Sequence, residues 1–190
     1  MTLNPARWIG HTALLIALCT GLSAHAQKVK LATTSGDIVI ELDAANAPKT
    51  VDNFVKYVKA GHYDGTIFHR VIPTFMIQGG GMTADMKEKT TRAPIPLESR
   101  NGLSNLRGSV AMARTGDPNS ATAQFFINVQ DNPRLDAANA RDGNGYAVFG
   151  KVIAGMDVVD KIRETPTGSR PPHDDVPTTP ITIKKATLEK

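Results

Sequence analysis

The architecture is set by Phe68-His69-Arg70-Val71-Ile72-Pro73-Thr74-Phe75-Met76-Ile77-Gln78-Gly79-Gly80, a largely apolar segment that carries one arginine. The β-branched and aromatic residues on both sides of Pro73 predict two strands joined by a turn, because proline fixes its own φ and cannot donate to a strand ladder. Arg70 and Gln78 then lie near each other across the hairpin. A guanidinium in apolar surroundings needs partners for its five donors. We expect the amide oxygen of Gln78 to orient it, while other donors remain free for a ligand.

Further short strands are predicted on both sides of this hairpin. Two of them flank the turn Ser35-Gly36-Asp37, and the others are residues 109–114, 124–129, 146–153 and 181–186, the last beside the first strand. Apolar residues at helical spacing predict one helix that begins at Pro48 and stops at Gly61, and a short one over residues 156–162. Many short strands, few helices and no βαβ alternation predict a mainly β fold, either a closed antiparallel barrel or a sandwich, with helices over its ends.

Other segments are predicted to lie outside this regular structure. The glycine run 79–81 is not followed by Lys-Ser or Lys-Thr, so we interpret it as a tight backbone bend and not as a phosphate-binding loop. Residues 82–108 and 136–145 are polar and lack sustained periodicity, which predicts loops. Residues 165–180 are rich in Pro, Thr and Asp. That composition is too rigid and polar for a core.

The first 26 residues have the features of a cleavable signal peptide. Arg7 precedes the short apolar run 13–19, and Ala24-His25-Ala26 matches the small-x-small pattern of a cleavage site. The apolar run is well short of the about 20 residues that a membrane-spanning helix needs. We therefore expect residues 27–190 to form one domain in the periplasm, with no membrane association after cleavage. Cys19, the only cysteine, would be removed with the signal peptide.

Composition argues against several kinds of function. The formal net charge is +4, with acidic and basic residues interspersed, which argues against a nucleic-acid partner. The three histidines that survive cleavage, His62, His69 and His173, form no His-x-x-x-His pair, so we expect no metal and no cofactor. The chain beyond the signal peptide has neither a thiol nor a Gly-x-Ser-x-Gly motif. What remains is an apolar cleft with one arginine and one amide, which suits a proline-containing peptide.

Several blocks of the sequence resemble the cyclophilins, a family of peptidyl-prolyl cis-trans isomerases, and most of all their bacterial periplasmic type. The blocks are residues 68–80, Met112-Ala113, Gln124-Phe125-Phe126-Ile127 and Val148-Phe149-Gly150-Lys151-Val152. They occur in the family's order, and the similarity runs through essentially all of residues 27–190. The resemblance implies a closed eight-stranded antiparallel barrel capped by two helices, with the substrate groove on its outer surface.

The resemblance also implies roles for individual residues of the groove. Arg70 matches the family's catalytic arginine, and Gln78 matches the glutamine that supports it. The walls of the pocket for the proline ring are matched by Phe75, Met76, Phe126 and Leu135. On the side that holds the preceding residues of the peptide, the matching positions are Ala113, Arg114 and Gln124.

Three of the matched positions depart from the usual pattern of the family. Arg114 stands where an asparagine is common, and because that asparagine acts largely through its backbone, we expect the arginine to be tolerated. Tyr146, which we also place among the substrate-binding residues, stands where eukaryotic members have a histidine. Arg134 stands where they have a tryptophan that contacts cyclosporin, so the resemblance implies weak cyclosporin binding.

The function implied is a rotamase that accelerates cis/trans rotation of X-Pro bonds in unfolded or folding exported proteins. Uncatalysed, this step takes tens to hundreds of seconds. We expect the protein to act as a monomer. A second hypothesis is a chaperone or binding module that holds proline-bearing partners in the same groove, with turnover incidental or absent. A third, a barrel with a small apolar ligand inside it, is disfavoured because large apolar side chains would fill a small barrel.

Overall fold

The computed structural model describes Met1 and residues 27–189. The predicted signal peptide, residues 1–26, therefore lies outside the described residues apart from Met1. Between Gln27 and Glu189 there is no helix long and apolar enough to cross a membrane.

Residues 27–189 form ten strands, two α-helices and one 3-10 turn. The strands are β1 Lys28–Thr33, β2 Gly36–Leu42, β3 Thr66–Ile72, β4 Met76–Thr83, β5 Ser109–Met112, β6 Phe125–Asn128, β7 Val148–Ala154, β8 Thr167–Arg170, β9 His173–Pro177 and β10 Ile183–Glu189. The helices are α1 Pro48–Lys59 and α2 Met156–Arg163, and the 3-10 turn is Pro133–Leu135. The predicted strand pairs around residues 35–37 and around Pro73, and both predicted helices, are confirmed.

Eight strands form one antiparallel sheet in the order β10-β1-β2-β7-β5-β6-β4-β3. The prediction that the last strand lies beside the first is confirmed, because Leu31 of β1 pairs with Ala186 of β10. The sheet curls strongly, but the closed barrel implied by the resemblance is wrong. The order has two ends, β10 and β3, which are not paired along their lengths, so the sheet is an open half-barrel.

The two ends of the sheet approach each other at one short junction. Ile67 of β3 and Thr182, just before β10, form an isolated bridge. The N–H of Phe68 donates to the carbonyl of Ile181 at 3.0 Å beside this bridge. Pro180 immediately precedes the junction and has no N–H to donate. Pro180 therefore cannot donate to a ladder that continued beyond this junction.

The inner face of the sheet and the two helices enclose the main core. Its largest side chains are aromatic and fully buried, namely Phe54 of α1, Tyr63, Phe68, Phe125 and Phe149. The ring of Phe54 lies 5.0 Å from that of Tyr63 and 5.5 Å from that of Phe125, centroid to centroid. These spacings are favourable for aromatic pairs. The interior is thus filled with side chains, which argues further against a ligand inside it.

Helix α1 is capped by a residue from a distant loop. The carboxylate of Glu98 accepts hydrogen bonds from the backbone N–H groups of Lys49 at 3.2 Å and Thr50 at 2.8 Å. It also accepts from the hydroxyl of Thr50 at 2.7 Å. A negative charge at a helix N-terminus satisfies free N–H donors and complements the helix dipole. The predicted loop over residues 82–108 is therefore anchored to α1.

Two segments are more regular than their composition indicated. Residues 165–180, predicted to be too polar for a core, contain the two-stranded hairpin of β8 and β9, which lies outside the main sheet and packs beside β3. The glycine run 79–81, predicted to be a tight bend, lies inside β4. Only Gly80 of the three has a positive φ, 85°. A Cβ there would lie 2.8 Å from the ring of Tyr63, so glycine is required for close packing.

Candidate functional site

A second apolar cluster lies on the face of the sheet opposite the core. Successive side chains of a strand point to opposite faces, so Ile77 and Phe125 enter the core while their neighbours Met76 and Phe126 face outward. This outer cluster comprises Ile72, Phe75, Met76, Leu103, Ala111, Ala113, Phe126, Leu135, Tyr146 and Val148. All four residues predicted to wall the proline pocket are among them, and so are Ala113 and Tyr146.

Four members of the outer cluster were not predicted to belong to the site. Ala111 precedes Ala113 by two residues and Val148 follows Tyr146 by two, so strand alternation could have identified both. Ile72 likewise lies two residues after Arg70. Leu103 comes from a loop without periodicity, and no local signal in the sequence indicates its position.

Aromatic contacts define the walls of the outer cluster. The ring of Phe126 meets that of Tyr146 edge to face, with centroids 5.6 Å apart and planes at 79°. Phe75 is held through its carbonyl, which accepts a hydrogen bond of 2.9 Å from the amide of the buried Asn132. The guanidinium of Arg134 lies 4.8 Å from the centroid of the Phe75 ring. The pocket is thus apolar inside and cationic along one rim.

Arg70 lies on β3 directly opposite Gln78 on β4, as the hairpin predicted. The predicted hydrogen bond between the two side chains is not formed. Within residues 27–189, the guanidinium makes one ion pair, from its Nε to Asp175 Oδ2 at 3.9 Å, and no hydrogen bond. Its side chain is 43% exposed. The donors of Arg70 are therefore available to a ligand.

Gln78 is engaged with another amide instead. Its Nε2 donates to Oε1 of Gln124 at 2.9 Å, which links β4 to the residue before β6. The side chain of Gln124 occupies space that Gly81 leaves open, because a Cβ at Gly81 would lie 2.5 Å from Gln124 Cγ. Gln78 and Gln124 thus form an amide pair beside Arg70.

A polar cavity of about 550 Å³ lies at this end of the groove. Arg70, Gln78, Arg114 and Gln124 line one side of it, and hairpin residues 172–175 line the other. Asp175, the ion-pair partner of Arg70, has a positive φ of 58°, which is uncommon for a residue other than glycine. The contribution of the hairpin was missed because polar composition alone does not indicate which strand a hairpin packs against.

His69 also borders the polar cavity but is itself buried. Burial lowers the pKa of its imidazole to about 4, and Coulomb repulsion from His173 and Arg70 acts in the same direction. A charge on this ring would be both desolvated and next to Arg70. His69 is therefore neutral at physiological pH.

Arg114 lines the polar cavity, on the side of the groove where we predicted it, and its role in binding stays a prediction. Its side chain is only 3% exposed. It donates to the carbonyl of Gly145 and to the carboxylate of Asp142, so few of its donors could reach a ligand. Ala113, the preceding residue, does face the outer cluster.

A larger cavity, of about 1060 Å³, lies elsewhere. It shares Leu103 and Val148 with the outer cluster, but none of the predicted site residues lines it. Its charged residues include Glu41 and Lys151, which pair with each other at 3.1 Å. In the part of the chain that the structure describes, no group of three or more His, Cys, Asp or Glu residues could hold a metal ion. The groove beside Arg70 is therefore the better candidate site.

The groove is equipped to bind and not to attack. Its apolar part can receive a nonpolar ring, and the neighbouring guanidinium can donate to a carbonyl or to an amide nitrogen. No hydroxyl or thiol poised beside a base lies among the residues that line it. The arrangement suits a conformational reaction of a peptide.

Comparison with known proteins agrees with this chemistry. Residues 28–188 match the family described as cyclophilin type peptidyl-prolyl cis-trans isomerase/CLD. The chain is 59% identical over 161 residues to the peptidyl-prolyl cis-trans isomerase cyp18 of Streptomyces antibioticus, covering 84% of this chain and 97% of the relative. It is 51% identical to the peptidyl-prolyl cis-trans isomerase A of Dickeya dadantii, covering 94% and 92%.

A solved structure resembles this chain over most of its length. It is a cyclophilin type peptidyl-prolyl cis-trans isomerase of Cryptosporidium parvum, crystallised in the presence of the dipeptide Ala-Pro. The TM-score is 0.70 at 29% sequence identity, and the match covers 86% of this chain and 99% of that one.

Proposed function

This chain belongs to the cyclophilin family and is a peptidyl-prolyl cis-trans isomerase, and we propose that Arg70 and the outer cluster act together on X-Pro bonds of exported proteins. The observation that most directly supports this assignment of the site is the state of Arg70. Within residues 27–189 its guanidinium makes no hydrogen bond, and it stands next to an apolar pocket. The structure of the Cryptosporidium relative in the presence of Ala-Pro supports a proline-containing ligand.

The chemical task is to weaken amide resonance. Rotation about a peptide bond must cross about 18 to 20 kcal/mol, which comes from the partial double bond between carbon and nitrogen. No bond is broken, so the enzyme needs neither a nucleophile nor a leaving group. It must bind the twisted amide better than either planar form.

We assign complementary roles to the two parts of the groove. Phe75, Met76, Phe126 and Leu135 would hold the proline ring, and Arg70 would donate a hydrogen bond to the twisted amide, at the prolyl nitrogen or at the carbonyl. Such a bond to a charged donor is worth roughly 1.5 to 3 kcal/mol, which corresponds to about tenfold to a hundredfold in rate. Desolvation in the apolar pocket would supply part of the remainder.

We also propose that the enzyme acts in the periplasm as a monomer. The support for the periplasmic location is the amino-acid pattern of residues 1–26, with Arg7, an apolar run and Ala24-His25-Ala26. Its clients would be unfolded or folding exported proteins. We further propose weak cyclosporin binding, because Arg134 places a cation over Phe75 at the rim of the pocket.

The alternative is a chaperone function in which the groove holds proline-bearing segments with little turnover. The polar cavity of about 550 Å³ favours this reading in one respect, because it extends the binding surface beyond the proline pocket. Both functions use the same residues for binding. They differ in whether Arg70 changes a rate or only an affinity.

The test is proline isomerisation of an Ala-Pro peptide, measured by exchange NMR with wild type and with Arg70→Ala. We expect wild type to accelerate exchange, and the folded variant to lose about tenfold to a hundredfold of that acceleration. Arg92→Ala is a matched control, because Arg92 is an exposed arginine outside the groove. If neither wild type nor Arg70→Ala accelerates exchange while both bind the peptide, the chaperone function replaces this one.

A further inference from the structure

We infer that Arg114 is a positioning residue whose side chain clamps residues 142–146 and thereby sets the shape of the proline pocket. This inference rests on the proposed function, because it assumes that the outer cluster receives the proline ring. It differs from the role expected from the sequence, in which Arg114 was one of the residues that contact the peptide through the backbone. In this inference the guanidinium group itself has a role, which is to hold residues 142–146 in place.

The contacts of Arg114 account for most of its donors. Its Nε and Nη2 both donate to the carbonyl of Gly145, at 2.9 and 2.8 Å. Its Nη1 donates to the carbonyl of Thr115 at 2.9 Å, and Nη2 also donates to the carboxylate of Asp142. Four of the five guanidinium N–H groups are thus engaged. With its side chain only 3% exposed, Arg114 is held in a single arrangement.

Asp142 organises the segment that Arg114 grips. Its Oδ1 accepts from the backbone N–H groups of Asn144 at 2.9 Å and Gly145 at 3.1 Å, while its Oδ2 accepts from Arg114. One carboxylate therefore both folds the turn and anchors it to the guanidinium. These bonds hold the pKa of Asp142 down at about 2, so the anchor is charged throughout the physiological range.

The clamped segment leads directly into the wall of the pocket. The N–H of Tyr146 donates to the carbonyl of Leu135 at 2.9 Å, so the residue after Gly145 joins one wall residue to another. Gly145 has φ +65°, and a Cβ there would lie 2.5 Å from the Leu135 oxygen. The segment is thus pressed between Arg114 on one side and the chain around Leu135 on the other.

The Tyr146 ring is fixed from two sides. The guanidinium carbon of Arg114 lies 4.6 Å from its centroid, and its edge-to-face contact with Phe126 is on the pocket side. A cation over an aromatic face is attractive, more so when both are desolvated. Arg114 therefore holds Tyr146 through both the backbone and the ring. Without it, Tyr146 and Leu135 lose their common support.

Only an arginine can make this set of contacts. The fork directs separate donors to Gly145, Thr115 and Asp142, whereas a lysine ammonium is a single point of charge on a flexible stem. Arg114→Lys would keep the charge and release part of the segment. Arg114→Gln would remove the charge and most of the bonds.

The experiment measures peptide affinity and the exchange rate at saturation separately, by NMR titration and exchange NMR with an Ala-Pro peptide. We expect the dissociation constant of the peptide to rise about threefold in Arg114→Lys and about tenfold in Arg114→Gln. The saturated exchange rate should stay within about twofold of wild type. The ring resonances of Tyr146 should shift in both variants. Arg92→Gln is the matched control, since Arg92 also lies over a tyrosine ring, 5.6 Å from the centroid of Tyr57, outside the groove.

The outcomes separate this inference from the proposed function. If affinity and saturated rate per folded molecule are unchanged in Arg114→Lys and the Tyr146 resonances do not move, the inference is wrong. A saturated rate that falls as far as in Arg70→Ala, with affinity retained, would also overturn it, because Arg114 would then act on the reacting amide. Should Arg70→Ala keep full activity, the proposed role of Arg70 fails, while the affinity and Tyr146 readouts still decide the role of Arg114.

Discussion

Arg70 and Arg114 both line the polar cavity of the groove, and their guanidinium groups are used in opposite ways. The side chain of Arg70 is 43% exposed and makes one long ion pair. The side chain of Arg114 is 3% exposed and donates to two carbonyls and a carboxylate. Both residues are arginines next to apolar strands, so their type does not reveal their function. What distinguishes them is the number of guanidinium donors that already have partners within the protein.

The difference follows from where each carboxylate comes from. Asp142 lies in the segment that Arg114 holds, so the two groups and the backbone bonds around them form one local unit. Asp175 lies on a separate hairpin and approaches only the Nε of Arg70, at 3.9 Å. Most of the guanidinium donors of Arg114 are therefore engaged within the protein, whereas the two Nη atoms of Arg70 remain available. We call the group around Arg114, which leads to Tyr146 in the apolar pocket, the Arg114 end of the groove, and we call the group of Arg70 and Asp175 the Arg70 end.

Lowering the pH should destabilise the fold first through His69, which borders the cavity beside Arg70, and only later through Asp142 at the Arg114 end. The pKa of His69 is about 4 in the folded state, below its ordinary 6.5. Between pH 4 and pH 6.5 this histidine is therefore protonated in the unfolded chain and neutral in the native chain. The unfolding free energy should therefore fall as pH drops from 6.5 to 4, by about 3 kcal/mol from this residue. Asp142 has a pKa of about 2, so its stabilisation of the fold is fully present above pH 3.8 and is lost only between pH 3.8 and pH 2.

Urea unfolding at pH 7 and pH 4.5 measures this effect. Burial also lowers the pKa of His62, so His62 adds to the loss of unfolding free energy at low pH. The comparison must therefore be with His69→Gln, which removes only the contribution of His69. The variant should show a flatter dependence than wild type across this interval. An identical slope for the two proteins would contradict the pKa assigned to His69.

Gly81→Ala should disturb the Arg70 end and leave the Arg114 end intact. The new methyl would lie 2.5 Å from Gln124 Cγ, so the Gln124 side chain must move and its bond with Gln78 must break. We expect the saturated exchange rate to fall about threefold to tenfold, the cost of one hydrogen bond beside Arg70. Exchange NMR gives the rate, and the Tyr146 resonances report the Arg114 end.

Gly116→Ala is the control for that substitution. No atom lies within 4 Å of a Cβ at Gly116, and this position needs no left-handed backbone. It should leave both the rate and the fold unchanged. If it slows exchange as much as Gly81→Ala does, the effect belongs to glycine replacement in general and not to Gln124.

Asp175→Asn should have the smallest effect. An exposed pair at 3.9 Å contributes at most about 1 kcal/mol, so we expect no more than about a fivefold fall in exchange rate at low salt, and less at high salt. Asp157→Asn removes a more exposed pair with Lys161 on α2, outside the groove, and serves as the control. A large loss that added salt does not reduce would mean that Asp175 acts on Arg70 through more than charge.

Local patterns in the sequence predicted the parts of the fold that depend on neighbours. The register that sets Arg70 opposite Gln78, the start of α1 at Pro48 and the pairing of the last strand with the first all follow from alternation, spacing and proline chemistry. The resemblance went further and named the residues that the outer cluster brings together. It misled on the closure of the barrel, because β10 and β3 meet only at a short junction, and on the partner of Gln78.

Contacts between distant segments could not be predicted from either source. Glu98 caps a helix 48 residues away, and nothing in the loop around it indicates that partner. Gln78 was expected to bond to Arg70 but bonds to Gln124, because the space left by Gly81 admits a second amide. The turn of Arg114 toward Asp142 is of the same kind. Each contact depends on which polar groups the tertiary fold brings together, and local sequence patterns do not indicate this.

The pairing of β1 with β10 has a consequence for how this protein is made. Lys28, at the start of the described domain, pairs with Glu189 at its end, so the first strand to leave a ribosome or an export channel is completed by the last. Until then one edge of β1 is an unpaired template. Contacts of such sequence separation also slow folding. This peptidyl-prolyl isomerase thus completes its own main sheet only once β10 is available to pair with β1.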